Sequence, residues 1–207
     1  MPGIAKTWKS VSFAQFQTPT MKRCLLLLTA LALAGTATAA PTTWKADAAH
    51  SSVGFKIRHF FSKVPGSFSK IDATLVFDPE NVDANSVMAT IEAASIQTGN
   101  DRRDNHLRNP DFFQVEVFPK ITFKSTAWKK TGENTFDITG DLTIKDVTKP
   151  VTLKATLLGT GPGPRGKQVT GWEASTTINR QEFGVTYANA ALGDEVEVEI
   201  QFEANPA

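Results

Sequence analysis

Between residues 135 and 158 apolar and polar positions alternate. Phe136, Ile138, Leu142 and Ile144 share one parity, with Gly140 among them, while Asp137, Thr139, Asp141 and Thr143 take the other. A period of two belongs to a strand with one buried face. After Lys145-Asp146 the pattern restarts, with Val151, Leu153, Ala155 and Leu157 against Thr152, Lys154 and Thr156. Two such strands across a short polar turn predict an antiparallel hairpin. Pro150 has no backbone donor and suits the first position of the second strand.

The same period recurs along the chain. Residues 42–47 read as a short entry strand. Val53, Phe55, Ile57 and His59 then share a face opposite Lys56 and Arg58, with Gly54 marking a bend or a close backbone approach. Phe60-Phe61 breaks the alternation, and Pro65-Gly66 is a turn signal. Further strands are expected over 68–77, 86–96 and 120–128, and around Trp172, Ala174, Thr176 and Ile178. Residues 159–166, rich in Gly and Pro, read as an exposed loop, and residues 179–184 as a turn or bulge. The last strand sets Val196, Val198, Ile200 and Phe202 against Glu195, Glu197, Glu199 and Gln201. Glutamates cannot meet an apolar interior unpaired, so that face is wet.

One stretch has a helical signature. Thr98-Gly99-Asn100 offers an N-cap, Asp101 and Asp104 sit in the first turn, and Asn109-Pro110 ends the helix. Leu107 is nearly its only apolar residue, so it is a lid or plug rather than a core helix. Phe112 and Phe113 are expected to complete its underside. About eight strands with short connections and no βαβ alternation exclude a parallel sheet. A sandwich and an up-and-down barrel both fit; the long strands in adjacent pairs favour the barrel. Its interior is either filled by side chains or holds one small ligand.

Composition narrows the chemistry. The 207 residues suggest one domain, and a net charge of +1 gives no footprint for nucleic acid. There are 14 Phe and 1 Tyr. Rings without a hydroxyl can line a dry cavity with no hydrogen-bond partner, or simply fill a core.

The beginning of the chain reads as an address. Met21-Lys22-Arg23 supplies charge, an apolar run follows from Cys24, and small residues end at Ala37-Thr38-Ala39-Ala40. This is the three-part pattern of a secretory signal, with cleavage expected near Ala39. Residues 1–20 fit it poorly, so translation is expected to begin at Met21; otherwise they lengthen the charged end. Residues 1–39 are thus expected to be a targeting segment and residues 40–207 a single domain. Cleavage would remove four bases and the only Cys and leave a net charge of −3. The exported chain would have no disulfide and no thiol nucleophile.

No catalytic constellation stands out. His50, His59 and His106 lack metal-ligand spacing and a cysteine partner, so no metal site is expected. There is no Gly-x-Ser-x-Gly elbow and no phosphate-cradling glycine motif. Arg102, Arg103, Asp104 and Arg108 form either a solvated helix with local ion pairs or a cationic rim able to meet a phosphate or quinone oxygen.

Several stretches carry a resemblance. They are Asp47-x-x-His50-Ser51-x-Val53-x-Phe55-x-Ile57-x-His59, Gly66-x-Phe68, Thr98-Gly99-x-x-Arg102-Arg103-Asp104-x-His106-Leu107, Asp111-Phe112-Phe113 and Phe118-Pro119-x-Ile121-x-Phe123. Gly140-Asp141-Leu142-Thr143-Ile144, Arg180-x-x-Phe183-Gly184 and Gly193-Asp194-x-Val196 follow in order. Together, over about residues 43–203, they resemble the YceI-like family of periplasmic polyisoprenoid-binding proteins. The resemblance implies an all-β fold, an eight-stranded antiparallel lipocalin-like barrel with one short helix and a long apolar channel. Members are thought to hold an isoprenoid chain such as that of a quinone or polyprenyl phosphate. No catalytic residue is carried over.

Strand parity and the resemblance together nominate a channel lining. It comprises Phe55, Ile57, Phe68, Leu75, Phe77, Phe123, Phe136, Ile138, Leu142, Leu153, Trp172 and Val198. Arg102, Arg103, His106, Phe112 and Phe113 are nominated for its mouth. The expected role is a periplasmic carrier or store of an isoprenoid-type lipid, with no cofactor beyond the lipid. Transient contact with a membrane and pairing with a second copy are compatible with it. Two alternatives stay open: an enzyme acting on a lipid or small oxidised substrate through His50, His106 or Arg180, and a stress-related barrel with a filled core.

Overall fold

The computed structural model describes residues 41–187 and 191–207. The expected signal segment, with Met21, Cys24 and Ala39, lies outside the described residues. Strands β1 (Thr42–Ala46), β2 (Ser52–His59), β3 (Ser62–Phe68), β4 (Ile71–Phe77), β5 (Ser86–Glu92) and β6 (Ile96–Gln97) come first. The helix α1 (Asp101–Arg108) follows. Strands β7 (Lys120–Lys130), β8 (Thr135–Ile144), β9 (Val147–Pro162), β10 (Gln168–Asn179) and β11 (Leu192–Pro206) complete the chain.

Pairing runs β1-β4-β5-β7-β8-β9-β10-β11 and returns from β11 to β1, so eight strands close an antiparallel barrel. The three further strands extend the same wall. β11 pairs with β1 through residues 204–206 and with β2 through residues 192–201. β4 faces β1 where β3 faces β2, and β5 faces β4 where β6 faces β3. Each of the pairs β1/β2, β3/β4 and β5/β6 is therefore one long stave with an interruption. The eight staves run up and down, as alternating patterns joined by short turns dictate.

Several local expectations are corrected. Pro65 and Gly66 make no turn; they lie within β3, opposite Lys56 and Phe55. The turn is Phe60-Phe61, because His59 pairs with Ser62. Gly66 is needed for space: a Cβ there would sit 2.2 Å from Cζ of Phe55, whose ring lies across it. The strand expected over 86–96 is broken by a 3-10 turn at Ala93–Ser95. β9 continues to Pro162, so the loop expected from residue 159 is shorter. Pro150 is not the first residue of β9; it sits before Lys154, where β9 has no β10 partner to lose a bond to.

Two apolar clusters stack along the barrel axis. Trp44, Leu75, Phe77, Trp128, Phe136, Ile138 and Trp172 form one. Phe68, Ile96, Phe112, Ile121, Ile144, Phe183 and Val185 form the other, with Leu107 and Phe113 against it. The first lies toward the turns at 78–85, 131–134 and 163–167. The second lies toward the Phe60-Phe61 and Lys145-Asp146 turns, where α1 and the loop after β10 also emerge. Among the described residues no helix is long and apolar enough to cross a membrane.

Candidate functional site

Inward parity does not mean burial everywhere in this barrel. Phe136 and Ile138 near one end of β8 are buried, yet Leu142, farther along the same face, is only half-buried. Val196, Val198, Ile200 and Phe202 all point inward from β11, and all are half-buried. These side chains line a hollow. The cavity has a volume of about 500 Å³, within the roughly 300–1,000 Å³ usual for small-ligand sites.

Its walls are apolar. Phe55 and Ile57 of β2, Phe68 of β3, Leu75 of β4, Phe123 of β7 and Ile138 and Leu142 of β8 line it. Leu153 of β9, Trp172 of β10 and Val198 of β11 complete the ring. Phe77 and Phe136, nominated on the same parity, do not line it. They lie beneath, packed against the floor: Phe77 is 4.9 Å from Trp172 and 5.9 Å from Phe136, both edge to face. Parity assigns a face of the sheet but not a depth along the barrel, which is why these two were misplaced. Trp128, Val53, Ile121, Ile178, Ile200 and Tyr187 also line the cavity. Most of them share the inward parity that would have found them.

The floor is a set of interlocked rings. Trp128 and Trp172 lie 6.1 Å apart at 89°, and Trp128 and Phe136 5.8 Å apart at 65°. The Trp172 indole donates to Thr170 Oγ1 at 2.9 Å. Among the described residues the buried indole N–H of Trp128 has no hydrogen-bond partner. Gly140 belongs to this wall for a steric reason. A Cβ there would meet the Phe123 ring at 2.5 Å and the Lys124 carbonyl at 2.6 Å.

Polar groups gather at the other end. α1 starts at the N-cap Asn100, whose side chain accepts from the Arg103 amide at 3.0 Å. Asp104 is buried and accepts from the Thr98 amide at 2.9 Å and from the Thr98 hydroxyl. Arg103 lines the cavity while holding Thr98 Oγ1 at 2.6 Å and the Thr98 carbonyl at 2.8 Å. Arg108 reaches back to the carbonyls of Ala94 and Ile96, at 2.9 and 2.8 Å. These arginines pin an otherwise polar helix across the barrel end. Arg102, nominated for the mouth, is exposed and does not line the cavity. Helical spacing turns it outward while Arg103 and His106 turn in.

His106, Phe112 and Phe113 line the cavity at this mouth. The His106 ring stands edge-on to Phe112 at 5.0 Å and to Tyr187 at 5.2 Å. Its Nε2 lies 2.8 Å from Asp111 Oδ2. Tyr187 is carried by the loop after β10, and that loop is organised by Arg180. Arg180 is buried, donates to the carbonyls of Gly193, Val185 and Tyr187 at 2.7–2.9 Å, and meets Asp194 at 3.1 Å. Gly184 turns the chain just after it at a φ of +71°, a left-handed conformation that suits glycine.

A separate group sits where β1 gives way to β2. His50 Nδ1 is 3.1 Å from Asp47 Oδ2 and 3.6 Å from Glu203 Oε1. The hydrogen bond to Asp47, helped by the charges of Asp47 and Glu203, raises the His50 pKa above its ordinary 6.5. The same bond, with that from the Ala49 amide, lowers Asp47 below 3.8. The three residues offer ligand atoms within 4.8 Å of one another, a proximity that their spacing in sequence hides. The side chain of His50 is 63% exposed. The group clasps the seam beside Ser51, whose hydroxyl accepts from the Glu203 amide and donates to its carbonyl, each at 3.1 Å.

Comparison with known proteins places this geometry. The model of the YceI-like domain matches residues 44–204. Protein YceI of Escherichia coli is 40% identical over 187 residues, covering 88% of this chain and 97% of its own. The crystal structure of the Campylobacter jejuni YCEI protein, 36% identical, superposes with a TM-score of 0.67 over 78% of this chain and 96% of that one. A polyisoprenoid binding domain from Saccharophagus degradans, 13% identical, shares the fold with a TM-score of 0.62 over 80% of this chain and 99% of that one.

Proposed function

The chain belongs to the YceI-like domain family, and on that premise we propose that it is a lipid carrier or store. The cargo is an isoprenoid chain of the quinone or polyprenyl phosphate type, held tail-down in the barrel. The observation that carries this reading is the hollow: inward side chains of β8 and β11 that stay half-buried around an apolar cavity of about 500 Å³. The fold neighbour from Saccharophagus degradans is described as a polyisoprenoid binding domain, which agrees with it. The compartment is the periplasm, in keeping with the signal pattern before Ala40.

The physics of the cavity favours a tail. Each isoprene unit contributes on the order of 3 kcal/mol when buried in a dry channel. Two or three units reach micromolar affinity before ordering costs, with no strong polar contact. The head group then sits at the mouth, where Arg103 Nη1 has no protein partner among the described residues. Binding rather than turnover is supported by the occupation of one candidate catalytic group: Arg180 is committed to the loop it folds.

The test is native mass spectrometry of protein isolated from a bacterial envelope, followed by organic extraction. The wild type is expected to carry one prenyl-lipid adduct. Leu142→Asp, with circular dichroism to select folded protein, is expected to lose the adduct, because the side chain is half-buried and lines the hollow. A wild type that stays free of adduct after incubation with quinones and polyprenyl phosphates would overturn the reading. So would full retention by the folded variant.

A further inference from the structure

Two hairpins at the mouth share a backbone requirement and answer it with opposite chemistry. Both turns have two residues: Phe60-Phe61 between the partners His59 and Ser62, and Lys145-Asp146 between Ile144 and Val147. In both, the first turn residue has a positive φ, 52° for Phe60 and 57° for Lys145. That position favours glycine, and a bulky residue there is strained. The second hairpin uses polar residues, and Lys145 Nζ donates to the Gly184 carbonyl at 3.0 Å. The first puts two phenyl rings into solvent instead. Phe61 is fully exposed and Phe60 is 57% exposed. A strained backbone that displays apolar rings serves neither the turn nor the core, so its use lies outside the fold.

The place and the charge of this tip identify its partner. Phe60 is tied to the mouth: its amide donates to the Ala191 carbonyl at 2.7 Å, and its ring meets the edge of His59, a cavity-lining residue, at 4.9 Å. The cations of this hairpin are Lys56, Arg58 and Lys63; Lys56 and Lys63 are paired with Glu199 and Glu197 of the neighbouring strand β11. Arg58 donates to the Phe60 carbonyl at 3.1 Å and forms no ion pair among the described residues. Exposed Val117 lies in the segment after α1, at the same end. Aromatic rings at the apex with the guanidinium of Arg58, free of any ion pair among the described residues, just behind them match the order of acyl chains and headgroup phosphates in a bilayer.

We infer that the Phe60-Phe61 tip inserts into a phospholipid bilayer and sets the cavity mouth against it. The inference adds a docking surface to the carrier reading, and it explains how a tail could pass between membrane and barrel without crossing water. Attachment itself does not depend on what the cavity holds.

The experiment is flotation with vesicles of phosphatidylethanolamine and phosphatidylglycerol, comparing the wild type with Phe61→Ser and Phe60→Gly. The wild type is expected to float with the vesicles. Each variant is expected to lose about tenfold or more in partitioning, the effect of withdrawing one phenyl ring from an apolar phase. Phe60→Gly is also expected to melt no lower than the wild type, since glycine adopts the positive φ without strain. Equal flotation of all three proteins, or a wild type that ignores vesicles but crosslinks through the tip to an envelope protein, would overturn the inference. Organic extraction of the same preparations reports on the carrier reading separately. Prenyl lipid retained by variants that no longer float upholds both proposals, and its absence from every preparation counts against the carrier alone.

Discussion

At the floor of the barrel, side chains hold side chains: Phe77, Trp128, Phe136 and Trp172 meet at 4.9–6.4 Å, mostly edge to face. At the mouth an apolar cluster is also present, but arginine side chains hold backbone as well. Arg103, Arg108 and Arg180 between them bind the carbonyls of Thr98, Ala94, Ile96, Gly193, Val185 and Tyr187. Regular strands satisfy their own backbone, so the floor can be apolar. The mouth is where the chain leaves the sheet, and its freed carbonyls need donors. Guanidinium groups supply several at once. The consequence is one end closed by packing alone and another closed by packing together with arginine–carbonyl hydrogen bonds.

The sharpest way to break this contrast is at the floor. Trp172→Ala removes a ring that touches Phe77, Trp128 and Phe136 and frees Thr170 Oγ1 from its indole donor. Loss of a buried aromatic costs about 3–5 kcal/mol. The expected result is a large drop in the denaturant midpoint for the whole barrel, because the strands that supply these rings span its circumference. At the mouth, Asn100→Ala removes the cap of α1 and is expected to cost about 1 kcal/mol. Its signature is local. Amide hydrogen exchange should quicken over residues 98–119 and stay unchanged in β8 and β9. Equal spreading of both effects through the barrel would refute the division into a packed floor and a hydrogen-bonded mouth.

The same division explains what could be read in advance. The staves were legible because alternation specifies a strand whatever it surrounds. The hollow was not, since Leu142, which lines the cavity, and Phe136, which packs beneath it, have the same parity. Phe77 and Phe136 were misplaced for that reason. At the β2–β3 hairpin the local rules pointed the wrong way. Pro65-Gly66 has the chemistry of a turn but lies in a strand, where Gly66 makes room for Phe55. Phe60-Phe61 lacks that chemistry and makes the turn. The cap at Asn100 was visible because capping depends on neighbours in sequence. The role of Arg180 was not, because its partners include Gly193 and Asp194 across a loop.

The smallest effect is expected at neither end but at the seam, where His50, Asp47 and Glu203 meet. His50 has a pKa raised above 6.5 in the folded chain, chiefly by its hydrogen bond to Asp47. A raised pKa means that folding favours the protonated ring. Its contribution is complete below about 6.5 and fades as pH rises through the higher folded value. Asp47 has the opposite sign: its pKa is held below 3.8, so its contribution is present above that value and is lost as pH falls through the lowered one. The clasp is therefore strongest in mildly acidic solution, between the two. Because the side chain of His50 is 63% exposed, solvent screens the pair and the change is small. Melting curves from mildly acidic to alkaline pH should show a slight decline in the wild type that His50→Ala abolishes. A decline that persists unchanged in His50→Ala would remove the clasp from the account of the seam, leaving Ser51 and its two bonds to Glu203 as the side-chain link between the backbone ladders that join β1 and β2 to β11.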